Sequence, residues 1–360
     1  MNSRSIAILM LVAFSTSSCG KKTQHNIDTD TSFHSTDSTT ETSIDSNDSA
    51  STDTESETAA VSFDELTGRE TRPDIEWLRI EPGTYIYGSS PDTPCSGPYE
   101  QEIEVTLTHP FLMATTELSQ QQWEDLDLNH SSWTPGESKP VTMINVYEAM
   151  VWCNKLSRLE GLEPCYDLDR CRGEFGNGCT NDEGIPVPGC GAGGVFLCSI
   201  SHNYPDRYSC PGYRLPTAAE WEYAAKAGVT DTHTYGGDVF SEDISACHDQ
   251  PSLNDIAWYC FNSGEEVHDV AQKLPNPWGL FDTIGNVREW IDGFSGFLET
   301  QSPNDPVENP IGPDSGSSLW VKGGQFNSAG CLVRPSSATS QFLLERNCWC
   351  GFRPVRTIFE

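Results

Sequence analysis

Positive charge is scarce in this chain. Its 360 residues carry 21 Lys and Arg against 53 Asp and Glu, a net charge of −32 at neutral pH. Between Thr23 and Ser62 there is no Lys or Arg at all. So acidic a surface repels phosphate backbones and anionic lipid headgroups, which argues against nucleic acid as a partner and against docking on a membrane face. Long apolar runs are missing too. Ile6 to Phe14 is apolar but falls well short of the ~20 residues a membrane-spanning helix needs. The eight histidines show neither metal-ligand nor catalytic-triad spacing, and no internal repeat is present.

What the N-terminus does contain is an export pattern. Arg4 precedes the short apolar run, small residues come next, and T-S-S-C-G ends the segment. This reads as a signal peptide over residues 1–18, with Cys19 as a lipidated residue in a bacterial lipobox-like setting. Thr16 stands where a large aliphatic residue is usual, and an ordinary cleaved signal is the alternative. Residues 19–75 read as the lipidated cysteine plus a tether. Its Ser, Thr, Asp and Glu offer too little apolar surface to offset the entropy of ordering, so the Thr23–Ser62 stretch is expected to stay disordered. Residues 1–62 hold only 9 of the acidic and 3 of the basic side chains, so most of the acidity belongs to residues 63–360.

Fourteen cysteines in an exported chain imply disulfides. Cys165, Cys171, Cys179, Cys190, Cys198 and Cys210 crowd into one Gly-rich stretch that lacks the apolar periodicity for its own core. Cross-links are its expected stabiliser, and six cysteines leave fifteen pairings open. Zinc sites use closer C-x₂₋₄-C pairs than these. Cys247 and Cys260 could close a further loop, and Cys153 sits where a buried free thiol is expected.

The folded part is expected to begin near Glu76, with a strand, a Pro-Gly turn and a second strand through Ser89, then another strand over Ile103 to Thr108. Thr115 to Leu128 predicts a helix, with Ser119 and Gln122 as a capping box. Asn145 and Glu148 open a second helix that Gly161 stops. Thr217 and Glu220 open a third that ends at Gly228. Short strands among long loops complete an α+β reading with no second domain boundary.

Four segments in the second half carry a resemblance: G-Y-R-L-P-T-A-A-E-W-E-Y-A-A-K-A-G (Gly212 to Gly228), N-P-W-G-L-F-D-T-I-G-N-V-R-E-W (Asn276 to Trp290), V-K-G-G-Q-F-N-S (Val321 to Ser328) and G-F-R-P-V-R (Gly351 to Arg356). In this order the chain resembles the formylglycine-generating enzymes, the sulfatase-modifying-factor family, over residues 76–358. E-P-G-T-Y-I-Y-G-S and K-P-V-T-M-I-N-V-Y-E-A-M-V-W-C-N-K-L look like the family's opening and its first helices. The resemblance implies a C-type-lectin-like α+β fold, low in regular structure and here disulfide-rich.

It also implies a reaction: oxidation of a sulfatase cysteine to formylglycine by two cysteine thiolates that bind copper(I). Aligned on Gly323-Gly324, those two positions are Ser328 and Val333 in this chain. Neither can supply a soft thiolate, so copper is not expected. Cys331 is the fallback thiol; a disulfide to Cys348 or Cys350 is its plainer use. In G-N-V-R-E-W, one helical turn would set Asn286 and Glu289 on one side, and relatives use this segment for calcium. The alternative is a capped turn with Glu289 paired to an arginine such as Arg288 or Arg353. Arg214, Arg334 and Arg353 read as buried structural partners.

The expectation is therefore a lipid-anchored lipoprotein of the bacterial cell envelope that binds a peptide, a glycan or an envelope protein and carries no oxidase site. Two rivals stand beside it: an oxidase with a displaced thiol site at Cys331, and a structural part of an envelope or surface assembly.

Overall fold

A computed structural model of the chain describes residues 63–176, 195–240, 247–298 and 306–359. The segments expected to be a signal peptide and most of the tether, together with Cys19, Cys179 and Cys190, lie outside the described residues.

In chain order the elements are β1 (Trp77–Ile80), β2 (Gly83–Tyr87), β3 (Ile103–Leu107), β4 (Phe111–Ala114), α1 (Gln120–Glu124), α2 (Val146–Leu159), β5 (Tyr166–Arg172), β6 (Leu197–His202), β7 (Tyr213–Arg214), α3 (Ala218–Lys226), β8 (Arg288–Phe294), β9 (Val307–Glu308), β10 (Ser318–Lys322), β11 (Ala338–Phe342), β12 (Cys350–Gly351) and β13 (Val355–Thr357). Among the described residues they form an α+β domain of four small sheets, ordered β1-β4-β13-β7, β11-β10-β8-β12, β2-β3-β9 and β5-β6. The strands flanking the Pro-Gly turn do not pair with each other. β1 joins β4, while β2 joins β3.

Helices α1, α2 and α3 all start on capping boxes: Ser119/Gln122, Asn145/Glu148 and Thr217/Glu220. Each satisfies two backbone N–H groups that the helix itself leaves open. α3 ends on Ala227 in the left-handed region, followed by Gly228. The first helix is much shorter than Thr115–Leu128 suggests. Thr115 to Leu118 instead leads out of β4, with the Leu118 N–H bonded to the Phe352 carbonyl.

α2 is buried along almost its whole length, and Trp152 packs edge-on to Phe352. α3 lays Trp221, Ala224 and Ala225 on a second cluster with Val105, Leu280, Ile291 and Trp320. The residues just ahead of Glu76, assigned above to the tether, belong to the fold. Asn154 donates to Asp64, Lys155 ion-pairs with Glu70 at 2.7 Å, and the Phe63 ring meets Phe196 edge-on. Phe63, Asp64 and Glu70 follow no periodicity in F-D-E-L-T-G-R-E-T-R-P-D-I, which is too weak a pattern to announce this docking.

Disulfides join Cys95–Cys331, Cys165–Cys210, Cys171–Cys198 and Cys247–Cys260. Two of these staple the Gly-rich stretch, as expected, and four together belong to a protein that folds in an oxidising, extracytoplasmic compartment. Cys348 is disulfide-bonded too, while Cys153 and Cys350 are buried free thiols.

Candidate functional site

β10 runs into Gly323 and Gly324, which adopt φ of +89° and +71°. A Cβ on Gly324 would stand 2.6 Å from Val333 Cγ1, so the turn accepts only glycine. It then lies against the segment after Ile284: Gly285 donates to the Gly323 carbonyl and Phe326 to that of Asn286. Ser328 comes next, 5% exposed, with its hydroxyl accepting the Gln325 N–H at 3.2 Å and its carbonyl accepting from Cys260. Val333 has no exposure and packs with Leu253, Tyr259 and Ile284.

Ser328, Cys331 and Val333 thus share one short loop, and none presents a thiol. Cys331 is bonded to Cys95, 236 positions earlier, rather than to Cys348 or Cys350. Nothing in the spacing of cysteines could mark so distant a partner. Of the free thiols among the described residues, Cys153 lies in α2 and Cys350 in β12. Burial pushes both well above the ordinary thiol range and leaves them protonated. The residues at the two thiol positions therefore do not fit copper(I): a hydroxyl closing a turn and a packed valine replace the soft ligands it selects.

Asn286 and Glu289 do not share a helical turn, and their side chains hold different partners. Asn286 takes a left-handed φ of +55°, and from Arg288 the chain extends as β8. The β8 sequence gives little warning, because both of its faces are buried and the polar–apolar alternation of a strand is absent. Asn286 Oδ1 accepts the His268 N–H, while Nδ2 donates to Glu117 at 2.7 Å. Glu289 receives Arg353 on both oxygens at 2.9 and 3.1 Å and Trp221 Nε1 at 2.6 Å. The arginine pairing, one of the two alternatives for Glu289, is the arrangement present. With Asn286 Oδ1 and both Glu289 oxygens holding N–H donors, the set does not fit a calcium cradle. Among the described residues no three His, Cys, Asp or Glu side chains converge on a metal position.

This network ties the family motifs to one another. Trp221 comes from α3, Glu289 from β8 and Arg353 from the closing segment. Glu117 and Asp282 add two further buried carboxylates. Burial, with Asp282 and Glu289 nearby, holds Glu117 well above the usual carboxylate range. Burial likewise lifts Asp282 to about 6. Arg214 pairs with Glu220 at 2.7 Å and Arg334 with Glu100 at 2.9 Å, so Arg214, Arg334 and Arg353 are all structural.

Together with the Arg334–Glu100 pair, the Cys95–Cys331 bond fastens the loop from Gly88 to Glu100 onto the residues around Val333. Between this loop, the end of β2, the C-terminal end of α3 and the Thr230–Asp238 loop lies a cleft of about 400 Å³. Tyr85 and Tyr223 line it, their rings 5.1 Å apart. Sequence reading missed this feature, since it is assembled from three distant segments.

An extracytoplasmic α+β domain with a C-type-lectin-like fold is the class these observations define. Residues 62–358 match the sulfatase-modifying factor enzyme 1-like domain, and the chain belongs to that family. It is 31% identical over 192 residues to "Chaperone protein LppX" of Paenibacillus barcinonensis, covering 52% of this chain and 62% of that protein. It is 35% identical over 169 residues to the formylglycine-generating enzyme of Mycobacterium tuberculosis, covering 42% and 54%. The chain thus spans less than two thirds of the length of either curated relative. Among solved structures, Treponema denticola variable protein 1 superposes with a TM-score of 0.57 at 27% identity, covering 78% of this chain and 95% of that one.

Proposed function

We propose that this chain is a lipid-anchored envelope protein whose domain binds a polypeptide partner and does not perform the family's oxidation. One observation carries the second half of this reading. The two thiol positions hold Ser328 and Val333, and the cysteine between them, Cys331, is consumed in a disulfide. Copper(I) oxidation of a cysteine requires two thiolates held together, and no described pair of thiols offers that. The cleft beside the same loop supports a binding role, as does similarity to a relative named as a chaperone. The Cys19 lipobox-like sequence and the disulfides support an anchored, envelope location. The acidic surface favours neither nucleic acid nor direct lipid contact, which leaves the lipid anchor as the membrane link.

Titration of the purified, non-reduced protein with copper(I), using a colorimetric chelator as competitor, tests the loss of the oxidase site. Sub-stoichiometric binding is expected. One tightly held copper(I) per chain would overturn the reading in favour of a displaced oxidase centre. Metabolic labelling with a fatty acid tests the anchor: label should be lost on Cys19→Ala, and unchanged labelling would remove the anchor from the proposal.

A further inference from the structure

The deepest arginines of this domain are paired. Arg214, Arg334, Arg346 and Arg353 each meet a glutamate (Glu220, Glu100, Glu148 and Glu289) at 2.7 to 2.9 Å. Arg288 has no such partner. It is half-buried, its Nε is enclosed without a hydrogen bond, and no described carboxylate lies within ion-pair distance of its guanidinium. Burial pulls its pKa down to about 10, which still leaves it charged at neutral pH. A cation withdrawn from water without a counter-ion is costly, yet this chain carries 53 acidic side chains.

Strand geometry explains why the adjacent Glu289 does not serve. Successive side chains of a strand point to opposite faces, and Glu289 is held on the other face of β8 by Arg353 and Trp221. Arg288 stands opposite Cys350 of β12 and two residues from Trp290, which faces Val321 of β10. On β11, Gln341 stands opposite Leu319, two residues before Val321. The register thus sets Arg288, Gln341 and Cys350 on one face of this sheet, with Trp290, Leu319 and Val321, the face that packs with α2. Gln341 is 3% exposed, and its Nε2 has no hydrogen-bond partner. Burial pushes the Cys350 thiol up, and Arg288 and Gln341 are the two neighbours that oppose that push. The thiol stays protonated, so it does not balance the arginine.

Two unsatisfied donors therefore flank one sulfur with no acceptor to receive them. We propose that Arg288 and Gln341 bind the carboxylate of a ligand, either a small free acid or an acidic side chain of a partner. A carboxylate only accepts, its two oxygens match the guanidinium fork, and its single charge balances the single arginine. A dianion such as phosphate would bring a second charge, and no other Lys or Arg acts on Arg288 or on Cys350. Of the three guanidinium nitrogens only Nε is enclosed, so the terminal pair gives the ligand its way in.

The test melts the full chain in HEPES at constant ionic strength with increasing sodium acetate, and with acetamide as the neutral control. Acetate should raise the melting temperature saturably by roughly 2–4 °C, and acetamide should not. Arg288→Met keeps the apolar stem and removes the charge. It should melt no lower than the parent without acetate and should lose the acetate response. Gln341→Met should keep the response with an apparent Kd about fivefold weaker, and this arm stands if the arginine variant fails to fold. Dodecapeptides with a central Glu or Gln, read by fluorescence anisotropy, separate the two sources. Tighter binding of the Glu peptide, competed away by acetate, assigns the site to a partner's side chain. An acetate response with equal binding of both peptides assigns it to a free acid. No saturable acetate response in the parent, or the same response in Arg288→Met, would overturn the site and leave the polypeptide-binding reading untouched.

Discussion

Cys331, through its bond to Cys95, fastens a loop more than two hundred positions away beside the cleft. Replacing both cysteines by serine should lower the unfolding free energy by about 2–5 kcal/mol, measured by denaturant titration. It should also weaken peptide binding through loss of loop order. Asp282 makes a second residue-scale prediction. Burial lifts its folded pKa to about 6 from an unfolded value of 3.8. Well below the unfolded value both states are protonated and nothing is lost. Between the two values the unfolded chain releases its proton first, so stability falls with rising pH and levels off above that window. Asp282→Asn keeps the acceptor for the Ala271 N–H. It should abolish this slope and raise stability at neutral pH by roughly 1–3 kcal/mol, read from melts at several pH values. A parallel slope in the variant would contradict the assignment.

At the scale of elements, the helix starts were legible because a capping box is a local device: its two side chains and two N–H groups lie within one turn. Ser119, Asn145 and Thr217 all cap as expected. The Gly285–Trp290 segment was misjudged because its conformation is set from outside. Gly285 and Asn286 are turned into the left-handed region, and β8 is then captured between β10 and β12. Its charged residues report a buried network rather than a solvent face. Glu289→Ala would leave the Arg353 guanidinium buried without its carboxylate and should cost about 3–5 kcal/mol. Trp221→Phe removes a single donor to that carboxylate and should cost less, about 1.5–3 kcal/mol. Comparable losses for the two variants would argue against Glu289–Arg353 as the dominant pair. Since these oxygens are engaged by N–H donors, added Ca²⁺ should leave the melting temperature of metal-free protein unchanged. A rise that grows with Ca²⁺ concentration would revive a calcium site.

Across the whole molecule, architecture was more readable than pairing or site. The ordered motifs from Gly212 to Arg356 converge on Trp221, Glu289 and Arg353, so their co-occurrence reported a core. Disulfide partners separated by up to 236 positions, and a cleft built from the Tyr85, Tyr223 and Arg334 neighbourhoods, depend on chain paths that no local pattern encodes. The acidic excess, by contrast, was visible at once.

Incubation of the protein with copper(I), oxygen, a limiting thiol reductant and a C-x-P-x-R peptide tests whether the family's chemistry is lost. Mass spectrometry should recover the peptide with its cysteine unconverted after many hours, whether or not the peptide is bound. Multiple turnovers of formylglycine product, abolished by Cys331→Ser, would contradict it.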